Sequence, residues 1–178
     1  MAPTLCEMQL QSRKTPCKSG NPEQLFIHGL WPCDMRARSL TCLCVSPSLE
    51  DQNVKNVLKN DNNLEAALHN VWPNLVAGRQ DKTFWKYQWR THGLCSSPTV
   101  QATDYFNAAA TVHATLIAKT PNKNLINYFV AAGINPDGHT FYSLHAITAA
   151  VRTVVGSNNH VYASCKSNGT QNLLHECL

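Results

Sequence analysis

The chain has little charge and no long apolar run. Charged residues make up 15% of its 178 positions and hydrophobic residues 43%, which excludes a disordered chain and fits one globular domain of ordinary size. No stretch of eighteen apolar residues occurs, so a membrane-spanning helix is not expected. Internal repeats and low-complexity tracts are absent. The opening MAPTLCEMQLQSRK lacks the apolar core of a signal peptide. Cysteine and histidine do not recur at the paired spacings of a zinc site. Cys42-Leu43-Cys44 is too tight, and His28 and His92 stand apart, so a zinc or redox module is disfavoured.

What is abundant is cysteine. Eight occur, at 6, 17, 33, 42, 44, 95, 165 and 177. That density without a metal pattern points to an oxidising compartment, and so to a secreted, extracellular protein. A secreted protein without a leader is expected to be a mature or partial sequence, with Met1 not the native start. The net charge of +4 is mildly basic. It suits a polyanionic partner, and also fits many secreted proteins.

Breakers fill residues 1–24. LFIHGLW (25–31), ended by Pro32, reads as a buried strand, and 33–48 as a surface loop pinned by disulfides. From Leu49 to Val71, residues Val54, Val57, Leu58, Leu64, Leu68 and Val71 have helical spacing, with a break at 60–63. Residues 81–92 read as a helix with Asp81 as N-cap and with Gln88 and His92 on one face. A helix over 103–118 has Tyr105, Phe106, Ala109, Val112, Leu116 and Ile117 as its buried stripe. A short helix over 123–131 stops at Gly133, and NPDG (135–138) is a turn. Ser143 caps a last helix, with Leu144, Ile147, Val151 and Val154 inward and Gly156 as terminator. HVYASC (160–165) and NLLHECL (172–178) flank Asn168-Gly169, a hairpin signal. The sum is an α+β fold.

Eight histidines are present, and most read as structural. His28 and His92 differ. Each precedes a glycine and sits in an aromatic-rich apolar run, where a small neighbour permits close approach and aromatic walls can stack a base.

LFIHGLWP and FWKYQWRTHGLC resemble the two active-site segments of the ribonuclease T2 family, and in order and spacing the plant members, including the S-ribonucleases of pistil self-incompatibility. PTLC, the Cys42/Cys44 region, WPNL at 72–75, YFNAA and AGINPDG at 132–138 extend the resemblance over most of the chain. It implies a ribonuclease T2-like α+β domain over 1–178, with an antiparallel sheet packed against several helices. It implies a metal-independent, cofactor-free endoribonuclease cutting single-stranded RNA through a 2′,3′-cyclic phosphate to 3′-phosphate ends. His92 is implied as general base and His28 as general acid, roles that suit imidazole.

The family pattern is not fully kept. Gln88 stands where a glutamate is usual, Thr91 where a lysine or arginine is usual, and Tyr87 where many members have histidine. Gln88 remains a catalytic candidate through its amide. Thr91 and Tyr87 are counted at the substrate-binding side with Trp31, which reads either as substrate wall or as strand packing. The missing cation weakens the site and keeps open a catalytically weak or inactive storage or binding protein.

The resemblance also implies truncation at both ends, because relatives begin with a further strand and continue past HECL to two more cysteines. It pairs Cys6 with Cys17 and Cys95 with Cys42 or Cys44, leaves Cys33 for whichever of those remains, and places the partner of Cys165 beyond residue 178. Asn168-Gly169-Thr170 is a glycosylation sequon or simply a turn. Arg36, Arg38, Lys55, Lys59, Arg79 and Lys82 form either a phosphate-binding surface or a solvated face. The expected partners are RNA and, for an S-ribonuclease, a pollen recognition protein. The chain is expected to be a monomer.

Overall fold

A computed structural model describes Cys6 and residues 15–18, 24–32, 47–97, 99–135, 137, 139–156, 161, 163–167 and 172–177. The expectations for Cys33, Cys42, Cys44, Arg36, Arg38 and Asn168 lie outside these residues. Among the described residues the helices are α1 (Pro47–Asn60), α2 (Asn62–Val71), α3 (Asp81–Gln88), α4 (Ala102–Ala118), α5 (Ile126–Ala131) and α6 (Leu144–Val155). The strands β1 (Ala163–Ser167) and β2 (Asn172–Cys177) pair antiparallel, Ala163 opposite Cys177 and Ser167 opposite Asn172, with a bulge after Ser164. The fold is α+β, and no described helix is long and apolar enough to cross a membrane.

Contacts divide the chain into two compact units. One comprises Ile27–Asn74 and Gly78–His113; the other holds Met1–Phe26, Leu75–Ala77 and Ala114–Leu178. In the second, segment 16–18 is bonded to 75–77: Lys18 N–H donates to Leu75 O and Ala77 N–H to Pro16 O, both at 2.8 Å. The Cys6–Cys17 disulfide fastens the same segment, as expected. Lower in the chain α6 packs on α5 and β1. Ser143 caps α6, its Oγ accepting from Ala146 N–H at 3.1 Å, and Gly156 ends it at φ +98°. The buried stripe of α6 runs through Ile147, Ala150 and Val154, whereas Leu144 in the first turn is half exposed. Asp137 holds the following loop, its carboxylate pulled down to about 2 by the Thr140 N–H, then the Thr140 hydroxyl and the His139 N–H.

The first unit carries the main aromatic core. The helical run over 49–71 does break at residue 61, where the Asp61 carboxylate caps α2 by accepting from Leu64 N–H at 2.9 Å. Val54, Leu58, Leu64 and Leu68 are all buried. On α4 the inward line is Tyr105, Phe106, Ala109 and His113. Val112 is 48% exposed; the stripe follows the i, i+4, i+8 line from Tyr105, and Val112 falls beside it.

Three expectations change near the centre. Residues 25–31 form no strand; two of their carbonyls are taken by side chains, Trp72 Nε1–H donating to His28 O at 3.1 Å and the Tyr105 hydroxyl to Leu30 O at 2.8 Å. Asp81 is not the cap of α3 but its first residue. Its carboxylate turns back instead, accepting from Asn74 N–H at 2.8 Å and meeting His69 Nδ1 at 2.6 Å. The helix does not stay α to His92. It gives way to a π turn over Trp89–Gly93, in which Leu94 N–H reaches Trp89 O, and then to a 3₁₀ turn over Leu94–Ser96.

Trp72 is wholly buried; besides its bond to His28 O, its own carbonyl accepts from Trp85 Nε1–H at 2.7 Å. Trp72→Phe is expected to cost about 2–4 kcal/mol, from the orphaned carbonyl and the space left by the indole. A denaturant-unfolding midpoint measures it.

Candidate active site

His28 and His92 arrive from separate elements of one unit. His28 lies in the 27–32 segment, fixed by the Trp72 and Tyr105 bonds and by Ile27 N–H donating to Val71 O at 3.2 Å. His92 lies in the π turn, behind buried Trp89.

Trp31 joins them. Its ring centroid is 5.4 Å from that of His28, edge-on at 67°, and 5.2 Å from that of His92, tilted at 32°. Both imidazoles therefore border one indole, and their separation cannot exceed those two distances together. Partial burial pushes the His92 ring below its ordinary pKa, and charge on the neighbouring His28 pushes the same way. The two rings are thus electrostatically coupled, and one is biased toward the neutral form.

The two glycines after the histidines have a visible purpose. A Cβ at Gly29 would run into the indole nitrogen of Trp31 and the amide oxygen of Gln88. One at Gly93 would run into the Trp89 ring and approach Tyr105. Bare backbone at each position lets the aromatic and amide groups close in.

Gln88 is 2% exposed, and its Oε1 has no hydrogen-bond partner among the described residues; neither has the Trp31 indole N–H. A donor and an acceptor are thus left unsatisfied, each next to Gly29. Such a group costs about 1–3 kcal/mol when buried alone. The burial also bears on why residue 88 is an amide. A carboxylate there would be desolvated with threonine, not a cation, at 91, and would be driven toward its protonated form. Glutamine carries no such penalty.

His28, His92, Trp31 and Gln88 are therefore brought together. Thr91 is partly buried in the π turn, one residue before His92, and Tyr87 is half exposed on α3. Trp85 and Trp89 are core: Trp85 is fully buried, and Trp89 packs on Tyr105 at 5.3 Å. Cys95, just past the π turn, is disulfide-bonded, and Cys165 is a free, exposed thiol. The sequence places Tyr105 on a buried stripe and Trp72 in WPNL, but carries no local signal that they hold the His28 segment by its carbonyls.

A sequence model of the Ribonuclease T2 family matches residues 1–177. Ribonuclease S-5 of Pyrus pyrifolia is 32% identical over 166 residues, covering 93% of this chain and 66% of that protein. Ribonuclease 1 of Arabidopsis thaliana is 30% identical over 156 residues, covering 86% and 60%. The crystal structure of Japanese pear S3-RNase superposes with a TM-score of 0.68 at 26% identity, over 96% of this chain and 76% of that one. The chain thus spans about two thirds or less of the length of these two sequence relatives.

Gly29→Ala is expected to destabilise the fold by about 1–3 kcal/mol through over-packing against Trp31 and Gln88. The denaturant midpoint checks it; an unchanged midpoint means that both side chains have room to withdraw.

Proposed function

Because the chain belongs to the ribonuclease T2 family, we propose that it is a secreted endoribonuclease that cleaves single-stranded RNA with no metal or cofactor. The observation that carries this reading is the pair of imidazoles bordering Trp31, with His92 biased toward neutrality. RNA supplies its own nucleophile, so the protein needs one group to take a proton and one to give it. Neutral His92 removes the 2′-hydroxyl proton as that oxygen attacks phosphorus. Protonated His28 gives its proton to the departing 5′-oxygen as the P–O5′ bond breaks. The product is a 2′,3′-cyclic phosphate. Water then opens it to a 3′-phosphate with the two roles exchanged.

The depressed pKa of His92 supports this division of labour. A ring that protonates less readily is the one free to act as base. Trp31 forms an aromatic wall beside both. Gln88 offers an amide to the phosphate. DNA, lacking the 2′-hydroxyl, is not a substrate.

Within this reading the protein is a single-domain, monomeric S-ribonuclease of pistil self-incompatibility, met by a pollen recognition protein, with Asn168 glycosylated. Its likeness to Ribonuclease S-5, its net charge of +4 and its cysteine-rich 33–48 segment support that role. A second reading, a catalytically weak or inactive storage or binding protein, is favoured by the neutral residues at 88 and 91.

RNA cleavage is expected to be insensitive to chelators and to follow a bell-shaped pH profile whose acid limb lies below 6.5, the ordinary imidazole value, because His92 must be neutral and its pKa is lowered. His92→Ala should abolish it. Cleavage no faster than in that variant would favour the binding reading. Thr91→Lys should raise turnover by about tenfold or more, by placing a cation beside the developing phosphorane charge. Steady-state kinetics on a defined oligonucleotide read the change, and an unchanged rate would mean that another group already fills the role.

A further inference from the structure

A second basic feature lies on the same unit, away from the histidines. Between α1, α2 and α3 is a cleft of about 260 Å³. Lys55 and Lys59 of α1 line it from one side, Lys82 and Lys86 of α3 from the other, and Glu65 of α2 is the one carboxylate among the described lining residues. Glu65 holds Lys82 at 2.6 Å. Four lysines thus line the cleft together with one carboxylate among the described residues. Buried Val54 and Leu58 form the floor.

The arrangement gathers like charge. Lys55–Lys59 and Lys82–Lys86 are both i, i+4 pairs of like charge, each mildly destabilising its helix. Packing α1 against α3 then brings the pairs together. A bound polyanion would relieve that repulsion. The cleft is smaller than the roughly 300–1,000 Å³ of small-molecule sites, which suits phosphodiester groups seated one by one rather than a whole nucleotide.

We propose that the Lys55/Lys59/Lys82/Lys86 cleft is an accessory site for the phosphates of a single-stranded RNA, remote from the bond that is cut. The inference rests on the ribonuclease reading above. Lys82 and Lys86 sit on the helix that leads into the His92 turn, ten and six residues before it. At 1.5 Å per residue that is about 15 and 9 Å along the axis. A strand held between His28 and His92 is thereby continued around α3 onto the lysines. The cleft adds affinity for long strands and none for a dinucleotide, which has no phosphate to reach it.

The test uses a fluorescent single-stranded DNA decamer, which binds without being cleaved, titrated at several salt concentrations. Lys55→Gln/Lys59→Gln/Lys82→Gln/Lys86→Gln is expected to bind at least about tenfold more weakly at low salt. Its plot of log affinity against log salt should be shallower by about 0.7 for each lysine that meets a phosphate. The four Lys→Arg changes should keep affinity and slope, which separates lost charge from a damaged fold. Cleavage of a dinucleotide should be unchanged in both variants. An unaltered decamer affinity and slope in the glutamine variant would overturn the proposal. So would loss of binding to an acidic peptide with decamer binding intact, which would assign the cleft to a protein partner. A wild-type protein that binds the decamer through these lysines yet cleaves no dinucleotide would overturn the ribonuclease reading and leave the cleft standing as a nucleic-acid site.

Discussion

One buried indole holds the histidine-bearing region in register. Trp72 donates to the carbonyl of His28 and accepts from the indole of Trp85. Its ring packs within 6.2 Å of Phe84 and within 6.0 Å of Tyr105 and Phe106. The end of α2, the start of α3, the inner face of α4 and the irregular 27–32 segment are thereby fixed to one side chain. That segment has no ladder partner, so side-chain donors set its path. Tyr105 makes the second such bond, and burial raises the pKa of its phenol, which stays protonated as the donor.

The histidine pair depends on that frame for its geometry and on desolvation for its chemistry. An imidazole partly withdrawn from water and placed near another loses basicity for two reasons of the same sign. Trp31 borders both rings. Nothing at 88 or 91 adds charge to the group. The neutral pair Gln88 and Thr91 avoids burying a carboxylate without a cation. It also leaves the transition state with fewer fixed charges beside it.

Much of this was legible in the sequence because the relevant signals are local. The break at residue 61, the Ser143 cap, the Gly133 and Gly156 stops and the antiparallel pairing of 163–167 with 172–177 all follow from short-range chemistry, and the helices and strands appear accordingly. His28 and His92 stood out by their glycines. The misses share a cause: each depends on a partner distant in sequence. The apolar run 25–31 looked like a strand because composition cannot say that indole and phenol donors will take its carbonyls. Asp81 looked like a cap because its spacing fits, yet His69 and Asn74 draw its carboxylate away. Val112 and Leu144 lie one step off stripes that only packing defines.

The widened turn at Trp89–Gly93 gives the His92 segment an unequal tolerance to change. Its hydrogen bond spans five residues instead of four, so the loop holds one residue more than the ordinary helical repeat. Side-chain replacements inside it leave that spacing intact. Deleting a single residue would close the turn to the ordinary helical repeat and redirect His92, which lies inside it, away from its place beside Trp31. The length of this turn is therefore a tighter constraint than the identity of its partly exposed residues, Thr91 among them.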